Sequence, residues 1–249
     1  MASQQRSRKA LGLWMNGHFV GTWSLEAGGD VLQYDSQWVQ SPQRRPLSLS
    51  LPFTPGNRPH KGDAVRFYFE NLLPDSKDIR ERVARRYQVG ATDAYTLLRE
   101  VGRDCVGALQ ILPAGDEPPT DLRVQAEPMS DHAVAQRIRT LAQPGALGDA
   151  GMADDFRISI AGAQEKDALL FWQGRWCRPL GATPTTHIFK LPLGLIGNLQ
   201  LDMQHSVENE WLCAQLLAAY GLPVASCEIL RFEDLKVLSV QRFDRRVWN

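Results

Sequence analysis

The spacing of hydrophobic and polar positions changes several times along the chain, and each change marks an element. Leu11 to Trp23 reads LGLWMNGHFVGTW, two alternating apolar runs on either side of Asn16-Gly17. Alternation is the mark of a half-buried strand, and Asn-Gly supplies the positive φ that a two-residue hairpin requires. Val31 to Trp38 and Leu47 to Leu51 predict two further strands, separated by a polar turn containing proline. Residues 52–62 are broken up by proline and glycine and predict a loop. The period then becomes helical. Asp75 or Ser76 can cap a helix through Ile79, Val83, Ala84 and Tyr87, and Thr92-Asp93 can cap another that runs to Val101. Gly107 to Pro113 returns to strand. The charge run of the first helix, DSKDIRERVARR, fits a solvated face better than a binding surface. Residues 1–115 therefore predict a small mixed β/α domain. Residues 116–155 are rich in Pro, Gly, Asp and Glu and predict a connector holding one helix, Ser130 to Leu141.

The stretch from Phe156 to Pro192, FRISIAGAQEKDALLFWQGRWCRPLGATPTTHIFKLP, organises the remainder, residues 156–249. Arg157 to Ile160 alternates. Ala161-Gly162-Ala163 carries almost no side chain, so another molecule can approach its backbone closely. Lys166 to Trp172 is rich in strand formers and ends at a Gln173-Gly174 turn. Thr186 to Leu191 predicts a third strand, with Ile188 and Lys190 on one face and His187, Phe189 and Leu191 on the other. Ser206 predicts an N-cap for a helix with Glu208 and Glu210 in its first turn. Val207, Trp211, Leu212, Leu216 and Leu217 supply its apolar positions, and Gly221 with Pro223 ends it. Ala225 to Glu233 and Lys236 to Phe243 predict a hairpin turning at Asp234. The order is β, β, β, α, β, β, that of a protein-kinase small lobe: a lysine on the third strand and acidic residues on the following helix. The fold class is α+β, a mixed β/α domain followed by a kinase-like small lobe of antiparallel sheet plus one helix, with no large lobe.

Composition narrows the chemistry. Lys and Arg total 28 against 28 Asp and Glu, a net charge of zero, so no global field points to nucleic acid or an anionic membrane. No apolar run approaches the roughly eighteen residues of a membrane span. The basic start MASQQRSRKA has no apolar segment after it, and the expected location is cytoplasmic. The four cysteines, Cys105, Cys177, Cys213 and Cys227, include no CxxC pair and predict reduced, buried thiols rather than a zinc site or a disulfide framework. His187 and His205 have no metal-ligand spacing. Arg103-Asp104 looks superficially like a kinase catalytic-loop dipeptide, but Leu109 stands where that loop has asparagine. An ammonium on an apolar strand needs a partner. Lys190 under a bare-backbone turn makes a workable nucleotide clamp, against the alternative of a surface lysine at a strand edge. Glu208 or Glu210 is a candidate to hold Lys190; helix capping and dipole stabilisation are the competing roles. By itself, Gly162 fits a plain hairpin turn and Ser159 an ordinary strand serine.

RISIAGAQEK, THIFKLP, SVENEW and VQRFDRR closely resemble the HipA toxin kinases of bacterial toxin–antitoxin pairs. WMNGHFVGTW, RPLSLSLP, FENLLPDS and VGRDCVGALQILP are similar to the N-terminal domain of that family, so the resemblance runs over nearly the whole chain. Gln241 stands where the family usually has glutamate. The resemblance implies that Ala161, Gly162, Ala163, Gln164, Glu165 and Lys166 form the loop over the ATP phosphates, and that Lys190 contacts those phosphates. It implies that Gln241, Arg242 and Phe243 form the adenine hinge and that Ser159 is the autophosphorylated serine whose modification silences the kinase. It implies ATP and Mg2+ as cofactors of the full-length form. It further implies phosphorylation of a protein serine, in the family on glutamyl-tRNA synthetase, with growth arrest, and neutralisation by a HipB-like DNA-binding antitoxin. The family's catalytic aspartate and metal ligands have no counterpart here, so no catalytic residue and no metal ligand is assigned.

Two functions follow. The first is the N-terminal portion of a HipA-like serine/threonine kinase, inactive alone. The second is a non-catalytic truncated or split subunit, acting as an interaction module for a separate large-lobe chain or the antitoxin.

Overall fold

A computed structural model describes residues 10–118, 124–142, 164, 166–181, 183–196 and 201–245. The chain divides into two compact units.

The first unit, in residues 10–118, is built on the predicted hairpin. β1 (Ala10–Met15) and β2 (His18–Glu26) pair antiparallel, and Asn16 and Gly17 between them have φ of 50° and 79°. β3 (Gly29–Tyr34) is shorter than expected, because Asp35 caps a helical turn, α1 (Ser36–Gln40), that takes up Trp38. Leu47 to Leu51 is not a strand. The Tyr34 hydroxyl accepts from the Leu47 N–H at 2.9 Å and donates to the Leu51 carbonyl at 2.6 Å, so one side chain satisfies this segment in place of a ladder. The unpredicted α2 (Asp63–Glu70) follows the short β4 (His60–Lys61), and its Val65 and Phe69 turn inward at i, i+4 spacing. Ser76 caps α3 (Lys77–Arg86) and Asp93 caps α4 (Ala94–Val101), both as expected. β5 (Leu109–Pro113) completes a five-stranded antiparallel sheet in the order β4-β3-β2-β1-β5. At Gly102 a Cβ would lie 2.4 Å from the Leu98 carbonyl oxygen and 2.7 Å from the Ile111 Cβ, so α4 meets β5 only through a glycine. Trp23 stacks on Phe69 at 3.7 Å in the core.

The second unit contains elements that the sequence assigns to the connector. β6 (Ala126–Pro128) and α5 (Asp131–Ala142) join β7 (Lys166–Trp172), β8 (Arg175–Pro179), β9 (His187–Lys190), β12 (Cys227–Phe232) and β13 (Leu235–Gln241). These strands form one sheet, β12-β13-β9-β7-β8-β6. The small hairpin β10 (Gly194–Ile196) and β11 (Leu201–Met203) and then α6 (Ser206–Ala219) lie between β9 and β12 in sequence. The expected three strands before the helix are thus more numerous: β6, β8, β10 and β11 are additions, while the predicted strand Arg157–Ile160 lies outside the described residues. Val134, Ala135 and Ile138 of α5 pack with Leu169, Phe189, Phe232 and Val237 into the unit's core. All four cysteines are free; Cys105 and Cys177 are buried, Cys227 is half-buried and Cys213 is exposed. No helix among the described residues is long and apolar enough to cross a membrane.

One buried ion pair joins α5 to the sheet. The Arg137 guanidinium donates to both Asp167 oxygens, Nε to Oδ2 at 2.5 Å and Nη2 to Oδ1 at 2.8 Å, with side chains 6 % and 3 % exposed. Removing one member strands a buried charge. Arg137→Ala is expected to destabilise the second unit by about 3–5 kcal/mol in urea unfolding, whereas Arg137→Met combined with Asp167→Leu recovers most of that loss.

Candidate functional site

The site grows from the alternation of β9. Phe189 turns to the α5 face and is 1 % exposed. Ile188 and Lys190 therefore turn to the opposite face, as the period requires. In the β7–β9 register Lys190 lies directly opposite Lys166, and Ile188 opposite Ala168; in the β13–β9 register they lie opposite Leu238 and Val240. Directly opposite residues of an antiparallel pair share a face, so two lysines leave neighbouring positions on the face that also carries Ala168, Ile188, Leu238 and Val240. Lys236, two residues before Leu238, belongs to the same face.

The N-terminal end of α6 supplies the counter-charges: Glu208 lies in its first turn and Glu210, expected there too, falls just beyond it because the helix starts at Ser206. Lys190 Nζ contacts Glu210 Oε1, and Lys236 Nζ contacts Glu208 Oε1. Of the two glutamates expected to compete for Lys190, Glu210 holds it and Glu208 holds Lys236 instead. Lys190 is 26 % exposed and Glu210 43 %, so solvent reaches the pair. The Lys236 hydrogen bond is the main cause that holds the Glu208 carboxyl below its ordinary value of 4.5. Burial pushes the Cys227 thiol up, with Glu210 adding to the rise and Lys190 opposing it. Burial likewise lowers His187, whose Nδ1 lies 2.8 Å from the Thr186 hydroxyl. Ser206 is the first helical residue rather than the cap, because its hydroxyl accepts from the Leu193 N–H at 3.0 Å and ties the helix start to the segment after β9.

The other expected residues are placed as follows. Gln164 donates from its amide to the Leu191 carbonyl at 2.6 Å, at the end of β9, and Lys166 opens β7. Ser159, Ala161, Gly162, Ala163 and Glu165 lie outside the described residues. Along the segment 241–243, the Gln241 N–H donates to the Ser226 carbonyl and the Arg242 N–H to the Thr186 carbonyl, each at 2.8 Å. The Arg242 side chain is buried, donating to both Asp244 oxygens at 3.1 and 2.9 Å and to the Thr185 hydroxyl at 2.9 Å. Phe243 is 90 % exposed. Lys236, Thr185 and Asp244 were not singled out from the sequence. Strand alternation places Lys236 with Lys190; nothing local links Thr185 to Arg242, 57 residues away. Among the described residues no group of three or more His, Cys, Asp or Glu is arranged to hold a metal ion.

The fold and site define a two-unit α+β protein with antiparallel sheets, whose second unit holds a central-strand lysine against a helix glutamate. The HipA N-terminal domain model matches residues 11–112 and the HipA-like C-terminal domain model matches residues 158–249. The chain belongs to the HipA family. Among its relatives is Y4mE of Sinorhizobium fredii, a protein named as a kinase, 30 % identical over 95 % of this chain and 54 % of the relative. Another is the serine/threonine-protein kinase toxin HipA of Shewanella oneidensis, 28 % identical over 91 % of this chain and 48 % of the relative. A solved complex of Shewanella oneidensis HipA, HipB and operator DNA contains a chain that superposes with a TM-score of 0.69 and 27 % identity. That match covers 96 % of this chain and 51 % of the solved one. The chain spans about half the length of the curated relatives it matches.

The Glu208–Lys236 pair gives the site a pH dependence of definite sign. A carboxyl whose folded value lies below its unfolded one stabilises fully above the unfolded value and loses that contribution as pH falls through the folded value. Wild type is therefore expected to lose part of its stability on acidification below 4.5, and Glu208→Gln to lose less over that interval. Thermal melts of both proteins at pH 7 and across the acid range check this.

Proposed function

We propose that the second unit is the nucleotide-holding part of a HipA-like serine/threonine kinase. The observation that carries the reading is Lys190 in contact with Glu210, directly opposite Lys166 on one face of the central strands. Two cations there fit the phosphates of ATP, and the floor of Ala168, Ile188, Leu238 and Val240 fits a planar base. The small-residue turn at 161–166 would close over the phosphates. Segment 241–243 would lie along the base, with its hydrogen bonds supplied by groups other than the Gln241 and Arg242 N–H, which are already bonded within the chain. In this reading the helix glutamate holds the lysine in line, the arrangement of a kinase small lobe, and phosphorylation of Ser159 would set a double negative charge beside the phosphates and expel them. Magnesium has no ligand set among the described residues. Glu208 and Glu210 contact lysines, so their work is orientation. Phosphoryl transfer also needs a base to orient the acceptor hydroxyl, and no residue of this chain is assigned that role. The proposed acceptor is a protein serine, on glutamyl-tRNA synthetase by family resemblance, and the proposed partner is a HipB-like antitoxin in the cytoplasm.

A charge-assisted hydrogen bond contributes about 1.5–3 kcal/mol, so Lys190→Gln is expected to weaken ATP binding roughly ten- to hundredfold, read by calorimetric titration. Equal affinity of variant and wild type would remove Lys190 from the phosphates. The 249-residue chain is expected to transfer no label from γ-labelled ATP; clear transfer by the chain alone would show that its own residues complete the reaction.

The second reading, an interaction module, is favoured by a different observation: apolar side chains along α6 are exposed.

A further inference from the structure

The large apolar side chains left in water are unevenly distributed. Four belong to the first unit: Leu25, Leu49, Phe67 and Val106. In the second unit they concentrate between residues 211 and 224. On α6 only Val207 is buried, and of residues 211–226 all but the half-buried Ala214 are exposed. The apolar positions expected to face a core, Trp211, Leu212, Leu216 and Leu217, are 36 to 52 % exposed, and Tyr220 is 83 % exposed. From Trp211 to Ala219 the helix carries a single polar side chain, Gln215. A helix of that kind is ordinarily an interior helix.

The end of the helix is well formed. Gly221, at φ 77°, donates to the Ala218 carbonyl at 2.9 Å, and Leu222 donates to the Leu217 carbonyl at 3.1 Å. This pair of bonds turns the chain back and commonly brings the residue in Leu222's position against the one in Leu217's. Leu212, Leu216 and Tyr220 follow at i, i+4 spacing and make one stripe. The surface is thus continuous and contains an aromatic at each end, Trp211 and Tyr220, the composition of an interface core.

We infer that this α6 surface docks the part of a HipA-family chain that the present chain does not match. The relatives supply the size of that part: the chain matches 54 % and 48 % of the two curated proteins and 51 % of the solved one, so about as many residues again are available to cover it. The N-terminal end of the same helix holds Lys190 and Lys236 through Glu210 and Glu208. Docking on the outer turns therefore fixes the element that presents Lys190. The inference deepens the kinase reading but rests on family membership and on the exposed helix.

The test co-expresses the 249-residue chain with the part of Shewanella oneidensis HipA lying outside its match to this chain. The expected result is a soluble one-to-one complex that co-elutes with the wild-type chain. Leu212→Lys alone and the double variant Leu216→Lys, Leu217→Lys are expected to weaken the association at least tenfold, while Leu49→Lys in the first unit leaves it unchanged. These positions are exposed, and unchanged far-UV dichroism and melting of each variant verify folding. No co-elution with wild type, equal co-elution with the α6 variants, or a wild-type homodimer that the α6 variants dissolve would each overturn the inference. A complex that assembles yet transfers no phosphate would overturn the kinase reading and leave the docking surface standing.

Discussion

The second unit depends on one constraint, that its central strand serves two unlike faces. β9 is four residues long and flanked on both sides. Successive side chains must point to opposite faces, so Phe189 and Lys190 cannot share an environment. Phe189 enters a core built with α5, while Lys190 rises on the other side, where an ammonium needs a counter-charge or water. The N-terminal end of α6 answers that need with Glu210. Everything in the candidate site, including the opposed Lys166 and the apolar floor, follows from the register that β9 imposes on β7 and β13.

The two helices are accordingly held by different physics. α5 is locked by burial: its Val134, Ala135 and Ile138 are 0 to 2 % exposed and Arg137 makes a two-pronged bond to Asp167 inside the protein. A hydrogen bond from His132 and an ion pair from Arg139, both to Glu233, join its outer face to the β12–β13 turn, and these are solvated. α6 has one buried residue and two solvent-accessible ion pairs. Accessible pairs contribute little to stability, about 0–1 kcal/mol each, and salt screens them. α6 is therefore bound to its sheet far less firmly than α5, and an element so held responds to whatever else it touches.

The sequence was most legible where one residue type forces one conformation. Asn16-Gly17 announced the first hairpin, and Asp75-Ser76 and Thr92-Asp93 announced two helix starts, of which Ser76 and Asp93 are the caps. The lysine on β9 and the acidic turn of α6 were both visible, and strand alternation separated Phe189 from Lys190 correctly. Legibility failed where tertiary contacts replaced local ones. Leu47 to Leu51 has strand composition, yet a tyrosine hydroxyl thirteen residues from Leu47 takes over its backbone bonds. The helix in the supposed connector carries charges at Asp131, Arg137 and Arg139, and its place in the core is set by Asp167, thirty residues away. The choice between Glu208 and Glu210 needed a three-dimensional position for Lys236.

That choice also explains how weak pairs can matter. Residues two apart on a helix point roughly 200° away from each other, since each residue advances about 100°. Glu208 and Glu210 nevertheless reach lysines on the same sheet face, one on β13 and one on β9. The two glutamates thus leave the helix in different directions and reach neighbouring strands. Rotation of the helix about its own axis would improve one contact and break the other. The two pairs thus fix an orientation, and with it the direction of the Lys190 ammonium, although neither contributes much energy. Neutralising Glu208 should therefore disturb Lys190, which it does not touch, by releasing the helix to rotate.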